Sequence, residues 1–587
     1  MDNGRHSNEN LLAKQLEGVL EKTVNRRPRS PEEADNALRA AVVKITGGMS
    51  PIQVVLAYMD WLAHLALSPG KRRQLWESLR DKILELRRRA GDDGQPPPSA
   101  FSSAPWREAP FDLLAAAYLS VREWVAEASR GVSGVEEYHE ELVAFINEQI
   151  LEALSPANFP LTNPEVLATT RREKGANLLR GAGHLALDLA AKVSGDNRAK
   201  MGDYRVGENL ATTPGKVIYR NELIELIQYS PTTEKVAKEP VLIVPAWVMK
   251  YYILDLSPHN SLVRYLVSQG KTVFMISWKN PSEKDRNLDL DQYLQRGLFE
   301  AVRAVRAVRP SARINAVGYC IGGTLLAIGA ATLAREDDDT LNSISLFAAQ
   351  VDFTEPGPIN RMISQSQVAF LSSQMWADGY LDSDSMAASF MSLRSRELIW
   401  QPTVSRYYLG RDDKPNDLMA WNADGTRMPY KMHSRYLREL YLENRLAESK
   451  FEVDGKPVSL LDIRAPLFAV GTTTDHVAPW KSVFKINRLT QTEVTFLLTS
   501  GGHNAGIVSG PSHPRRQYQV ATRKPGDKYT DPDTWVARQA VNQGSWWPEW
   551  ERWLDGQCTS RLKPPRTGAA GKGYGVLCDA PGTYVFT

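Results

Sequence analysis

Cysteine is scarce in this chain: 587 residues carry three, Cys320, Cys558 and Cys578. An odd count with no ligand-like spacing argues against a disulfide framework and against a zinc cluster, so no metal is expected. It fits a reducing cytoplasm. An excess of one charge is also lacking. Lys and Arg number 71 against 68 Asp and Glu, and the net +3 is too small to argue for a nucleic-acid partner. Long hydrophobic runs are missing as well. Val241 to Val248 is among the longest and falls far short of a membrane span. The opening Met1-Asp2-Asn3-Gly4-Arg5-His6 has no apolar core of a secretory signal. Any contact with a membrane or lipid surface is therefore expected to be peripheral. The basic run Arg87-Arg88-Arg89 reads as a solvated helix C-terminus, where cations are favoured. No internal repeat is visible.

What is present is ordinary globular material. Hydrophobic residues make up 42% and charged residues 24%, which excludes disorder throughout. At roughly 150 residues per domain the length allows about two to four domains. Residues 1–35 are polar and charged and read as frayed. Apolar residues then fall at helical spacing in 51–67, 71–89, 111–128, 136–154 and 164–191. Gly91 to Ser99 reads as a loop or linker. The expectation is an all-helical N-terminal domain over residues 1–200.

The pattern changes near Gly202. Residues 216–220 and 223–229 are rich in β-formers and read as a hairpin. Apolar strands at 241–244, 272–276, 314–317, 341–348, 466–471 and 492–498 alternate with helices at 261–269 and 288–308. That alternation predicts a parallel sheet covered by helices on both faces, over residues 201–587. It is lost between about 351 and 461, which reads as a cap inserted over the active-site edge.

Gly318-Tyr319-Cys320-Ile321-Gly322-Gly323 lies between a predicted strand and a predicted helix. Strand, G-x-nucleophile-x-G, helix is the nucleophile elbow of the α/β-hydrolase fold. The nucleophile here is a thiol, which ionises more easily than a hydroxyl and whose thiolate is very nucleophilic. Thioester exchange is thus favoured over ordinary ester hydrolysis. In this fold the acid and the histidine follow the nucleophile in that order. Asp475, just past the 466–471 strand, is the candidate acid. His503, flanked by glycines just past the 492–498 strand, is the candidate base. His476 competes as the base, although side chains of adjacent residues in an extended loop diverge. The oxyanion hole would use the backbone N–H of Ile321 and one from the loop after the 241–244 strand, with Val248 the expected donor. The Trp-rich stretch 546–553 has helical spacing and reads as core packing.

Several motifs together carry a family resemblance. Pro245 to Leu256, Ser277-Trp278-Lys279-Asn280-Pro281, Gly318 to Thr324, Asp475 to Trp480, Gly502 to Gly506 and Gly544-Ser545-Trp546-Trp547-Pro548 resemble poly(3-hydroxyalkanoate) synthases, most closely the class I type. The resemblance spans residues 100–555. Ala246 and Val248 depart from its pattern, and the tail beyond Cys558 lies outside it. The resemblance implies an acyltransferase that joins (R)-3-hydroxyacyl-CoA, short-chain 3-hydroxybutyryl-CoA foremost, into polyester and releases CoA, with no cofactor. Cys320 would hold the acyl chain as a thioester, His503 would remove protons, and Asp475 would orient His503. Trp421, Asn422 and Asp424 match the family's cap motif, and Arg394 is a candidate CoA contact. The resemblance further implies a homodimer, cytoplasmic and associated with polyhydroxyalkanoate granules. A Cys-nucleophile acyl-CoA thioesterase or hydrolase on the same fold is the alternative, and a non-catalytic granule-surface protein is a third reading.

Overall fold

In the computed structural model, which describes residues 30–45, 48–89, 101, 103–194, 201–412 and 414–587, helices come first and the sheet second. The helices are α1 (Pro31–Ile45), α2 (Pro51–Ala66), α3 (Pro69–Arg89), α4 (Phe111–Ser129), α5 (Glu137–Ala153), α6 (Pro164–Arg172) and α7 (Ala176–Ser194). The expected frayed segment lies outside the described residues up to residue 29, and α1 is already helical from Pro31. The expected linker at 91–99 also lies outside them. Proline opens α2 and α6, where its fixed φ and missing N–H cost nothing. Asn163 caps α6 by accepting from the N–H groups of Glu165 and Val166. The single helix expected over 164–191 is two. Lys174 and Gly175 take φ of 50° and 87°, the left-handed turn that ends a helix. Asn177 then turns its amide to the Thr170 hydroxyl and the Tyr408 carbonyl.

The chain forms two compact units, one of residues 46–199 with 385–414, the other of α1 with residues 200–384 and 415–587. In the helical unit, Ala57 of α2 packs on Leu142 and Val143 of α5, with Tyr58, Trp61, Tyr138 and Ile146 around them. Residues 385–414 join this unit through Arg406, whose guanidinium grips both oxygens of Asp188, and through the Tyr407 hydroxyl on the same carboxylate.

The other unit is built on eleven strands: β1 (Gly215–Arg220), β2 (Ile224–Tyr229), β3 (Val241–Val244), β4 (Val273–Trp278), β5 (Ile314–Tyr319), β6 (Leu341–Phe347), β7 (Leu467–Thr472), β8 (Val494–Thr499), β9 (Gln517–Arg523), β10 (Asn542–Gln543) and β11 (Cys578–Asp579). Their order across the sheet is β10-β9-β8-β7-β6-β5-β3-β4-β2-β1-β11. The six strands β3 to β8 pair in parallel, and the outer strands pair antiparallel. Every residue of β3 to β8 is buried, as their largely apolar character requires of strands covered on both faces, and polar members such as Asn315 and Ser343 bond to each other. Among the described residues, no strand of this sheet comes from between Phe347 and Leu467. Within that stretch, helix Gln365–Asp378 packs along α1, and the Ser373 hydroxyl donates to the Asn36 side chain at 3.0 Å. The expected α/β-hydrolase arrangement behind an all-helical N-terminal region is the one observed.

The chain leaves β3 to one side for β4 and returns to the other side for β5. The carboxyl ends of β3 and β5 therefore flank a topological switch point, where open α/β sheets bind their ligands. The loops that leave those two strands are 245–250 and the Cys320 elbow.

Candidate active site

The elbow is built by close approach of backbone. A Cβ on Gly318 would meet the Gly323 Cα at 2.4 Å, and one on Gly322 would meet the carbonyl oxygens of Val244 and Pro245 at 2.4 Å. No side chain fits at either position, and their absence lets the β3 loop lie directly against the elbow. Cys320 itself sits at φ 54°, ψ −131°. That conformation costs of order 1–3 kcal/mol and is held by its surroundings. Its N–H donates to the Phe347 carbonyl at 2.9 Å, and helix Ile321–Arg335 starts at the next residue. Gly323 and Thr324 return their N–H groups to the Cys320 carbonyl at 2.9 and 3.2 Å, and the helix start that follows the sulfur is an end where negative charge is favoured.

His503 Nδ1–H donates to Asp475 Oδ2 at 2.8 Å, and both residues are buried. Asp475, rather than serving His476 beside it, is thus turned to the histidine 28 residues on. The other Asp475 oxygen accepts from the N–H groups of Val477 and Ala478, each at 2.8 Å, and Thr472 donates to Oδ2 at 3.1 Å. Burial alone would raise the Asp475 pKa, but the His503 charge and these donors hold it below the ordinary carboxylate value. Burial alone would lower the His503 pKa. The Asp475 carboxylate and the Cys320 sulfur, both within hydrogen-bonding reach, raise it well above the ordinary imidazole value. The structure therefore brings together all three residues that the motif order singles out, with the imidazole between the carboxylate and the sulfur.

Val248 lies on the loop after β3 and is partly exposed, and Ile321 is buried at the helix start. Arg394 belongs to the helical unit, where its guanidinium pairs with Glu397 on the same turn.

Sequence reasoning missed several residues that hold this trio. Tyr319, immediately before Cys320, donates through its hydroxyl to Asn504 Oδ1 at 2.6 Å, and its ring lies 5.6 Å from the His503 imidazole. One buried side chain thus ties the nucleophile's strand to the base's loop. Of the tryptophans expected to be core, Trp546, Trp547 and Trp550 are buried and Trp553 is partly so, and two of their indole N–H groups have a second task. Trp546 donates to the Gly506 carbonyl at 3.0 Å and Trp547 to the Ile507 carbonyl at 2.9 Å. Arg516 donates to the carbonyls of Ser500 and Ala505. These bonds anchor the loop that carries His503. The available signal is that a buried indole N–H needs an acceptor, and a glycine-rich turn leaves carbonyls without a ladder partner. Tyr436 and Tyr441, from the inserted stretch, are partly buried and pack with Phe353. Desolvation and then neighbouring charge, Cys320 included, push the Tyr441 phenol up to about 12 and that of Tyr436 well above its usual value.

Three family models match the chain. They describe a poly-beta-hydroxybutyrate polymerase (PhaC) N-terminus over residues 98–266, a poly-beta-hydroxybutyrate polymerase N-terminal region over residues 29–71, and an alpha/beta hydrolase fold over residues 239–509. Among curated relatives, the poly(3-hydroxyalkanoate) polymerase subunit PhaC of Rhizobium meliloti (strain 1021) is 39% identical over 85% of this chain and 82% of its own length. The poly(3-hydroxyalkanoate) polymerase of Methylorubrum extorquens is 40% identical over 84% of this chain and 81% of its own. The PhaC subunit of Cupriavidus necator (strain H16) is 32% identical, covering 83% and 82%.

Proposed function

The chain belongs to the poly(3-hydroxyalkanoate) polymerase family of acyltransferases, and from that premise we propose that it polymerises (R)-3-hydroxyacyl-CoA, foremost 3-hydroxybutyryl-CoA, with release of CoA through Cys320, His503 and Asp475. The observation that carries this reading is the Asp475–His503 bond at 2.8 Å with Cys320 in reach of the same imidazole. In the first step the Cys320 sulfur attacks the thioester carbonyl. The bond to the CoA sulfur breaks, and the departing thiolate takes the proton held by His503. In the second, the 3-hydroxyl of an incoming unit gives its proton to His503 while its oxygen attacks the acyl carbon on Cys320. The carbon–Sγ bond breaks, and the thiolate returns. The lengthened chain, now a CoA thioester, is taken back by Cys320 with release of another CoA. The backbone N–H groups of Val248 and Ile321 would hold the oxyanion in each transfer, a contribution of typically about 100- to 1,000-fold. The His503 base adds about 100- to 10,000-fold. The scheme balances without an added cofactor, since CoA enters with the substrate and leaves as product. An exposed guanidinium such as Arg394 suits the CoA phosphates.

A polymerase must keep water from the acyl-enzyme so that a hydroxyl attacks instead. Tyr436 and Tyr441, partly buried and near enough to Cys320 for its charge to act on their phenols, support that role. By the same reading the working form is a cytoplasmic homodimer at the granule surface. Incubation with 3-hydroxybutyryl-CoA tests the proposal: CoA should appear together with sedimenting polymer that carries the protein, and the protein should sediment as a dimer beforehand. Free 3-hydroxybutyrate as the sole product would favour the thioesterase reading.

A further inference from the structure

The loop that carries Val248 is gripped from the inserted stretch. Trp247 is buried, and its carbonyl accepts from the buried Thr426 hydroxyl at 2.6 Å. Two residues on, Met249 forms an antiparallel bridge with Gly425. One residue further, the Lys250 carbonyl accepts from the buried Trp421 indole at 2.8 Å. Asp424 completes the seam by accepting from the Tyr252 hydroxyl at 2.8 Å. Residues 421–426 thus hold the loop at 247, 249, 250 and 252 and leave Val248, which is partly exposed, between the grips.

The first grip has a specific consequence. The Trp247 carbonyl and the Val248 N–H belong to one peptide unit, which is planar and trans, so the two bonds point in opposite directions. A donor that fixes the carbonyl on one side fixes the direction of the N–H on the other. We propose that Thr426 is a positioning residue for the reaction: by holding the Trp247 carbonyl it aims the Val248 N–H at the acyl oxygen, so that the inserted stretch must be seated for the oxyanion hole to be complete. This rests on the reading of Val248 as an oxyanion donor in acyl transfer. It makes seating of the inserted stretch and activation of the thioester a single event. An enzyme in which that seam has parted loses one of its two oxyanion donors.

The test is the rate of the first CoA released from 3-hydroxybutyryl-CoA in rapid-mixing experiments on the full chain. Thr426→Val keeps the side-chain shape and removes the donor. It should slow the first turnover at least about 10-fold, a fraction of the loss expected when an oxyanion donor is removed outright, with KM changed less than about two-fold. Thr426→Ser restores a hydroxyl and should recover most of the rate. Trp421→Phe, which frees the Lys250 carbonyl, should slow the step in the same direction. A Thr426→Val enzyme that melts earlier but acylates at the wild-type rate overturns the inference, as does equal loss in the Val and Ser variants. Cys320→Ala separates the two levels. If it releases no CoA while Thr426→Val is as fast as wild type, this inference alone falls. If Cys320→Ala still releases CoA, the functional reading falls and takes the inference with it.

Discussion

Tyr319→Phe removes one oxygen and leaves the ring beside His503 in place. The Asn504 amide then loses its donor, and the His503 loop loses its tie to the Cys320 strand. Turnover is expected to fall several-fold with KM little changed. Asn504→Leu should cost about the same alone, and the double variant no more than either single one, because both cut one bond. Steady-state kinetics on the four proteins check this, and additive losses would exclude the tie. The same scale shows what a sequence can reveal. Cys320, Asp475 and His503 are legible because the elbow demands glycines at set positions, and the acid and base follow strand ends in a fixed order. Tyr319 and Asn504 are 185 residues apart, and Thr426 meets Trp247 across 179. No local spacing encodes those bonds.

Among elements, the buried strands are the most legible, since apolar runs covered on both faces carry the plainest signal. Half-exposed β9 and two-residue β10 and β11 carry little of it, and no apolar run in the sequence marks them. The helix expected over 288–308 is continuous but contains a wider π-turn at Tyr293–Phe299, where Gly297 lies against the Trp278 ring. Helix Tyr430–Tyr436 carries a further, pH-dependent cost. His433 is buried, its Nδ1 has no hydrogen-bond partner, and burial pushes its pKa down to about 4. The unfolded value is about 6.5, so the unfolded chain binds the extra proton first. Stability attributable to His433 is complete above about 6.5 and is lost as pH falls toward 4, by about 3 kcal/mol in all. Urea midpoints measured from pH 7 to 4 should therefore fall less steeply in His433→Leu than in the wild type. Parallel slopes would show that the histidine takes up its proton equally in both states, and would exclude the cost.

At the scale of the molecule, the segment after Cys558 reaches back across the sheet. It adds β11 beside β1, and its turn at 583–584 is read by Glu225, a fully buried carboxylate on β2. Glu225 accepts from the N–H groups of Thr583 and Tyr584 and from the Thr583 hydroxyl. Lys250, in the loop that follows β3, donates to the Thr587 carbonyl at 2.6 Å. Removing residues 577–587 would leave Glu225 with Arg220 as its remaining charge partner. The expected cost is at least about 2 kcal/mol, since a buried charged group loses its donors. Denaturant unfolding measures that loss, and light scattering of the shortened protein should show association through the uncovered β1. Equal midpoints and an unchanged scattering signal would rule out a fastening role for this segment. The large sheet ends at both borders in strands of two residues, β10 and β11. β10 covers Gln517 and Tyr518 of β9 and β11 covers Lys216 and Val217 of β1, which shortens the row of free N–H and C=O groups at each border, one way natural sheets avoid templating their neighbours. Copies meeting border to border would then have a shortened ladder to share, and crowding would be a poorer route to fibres.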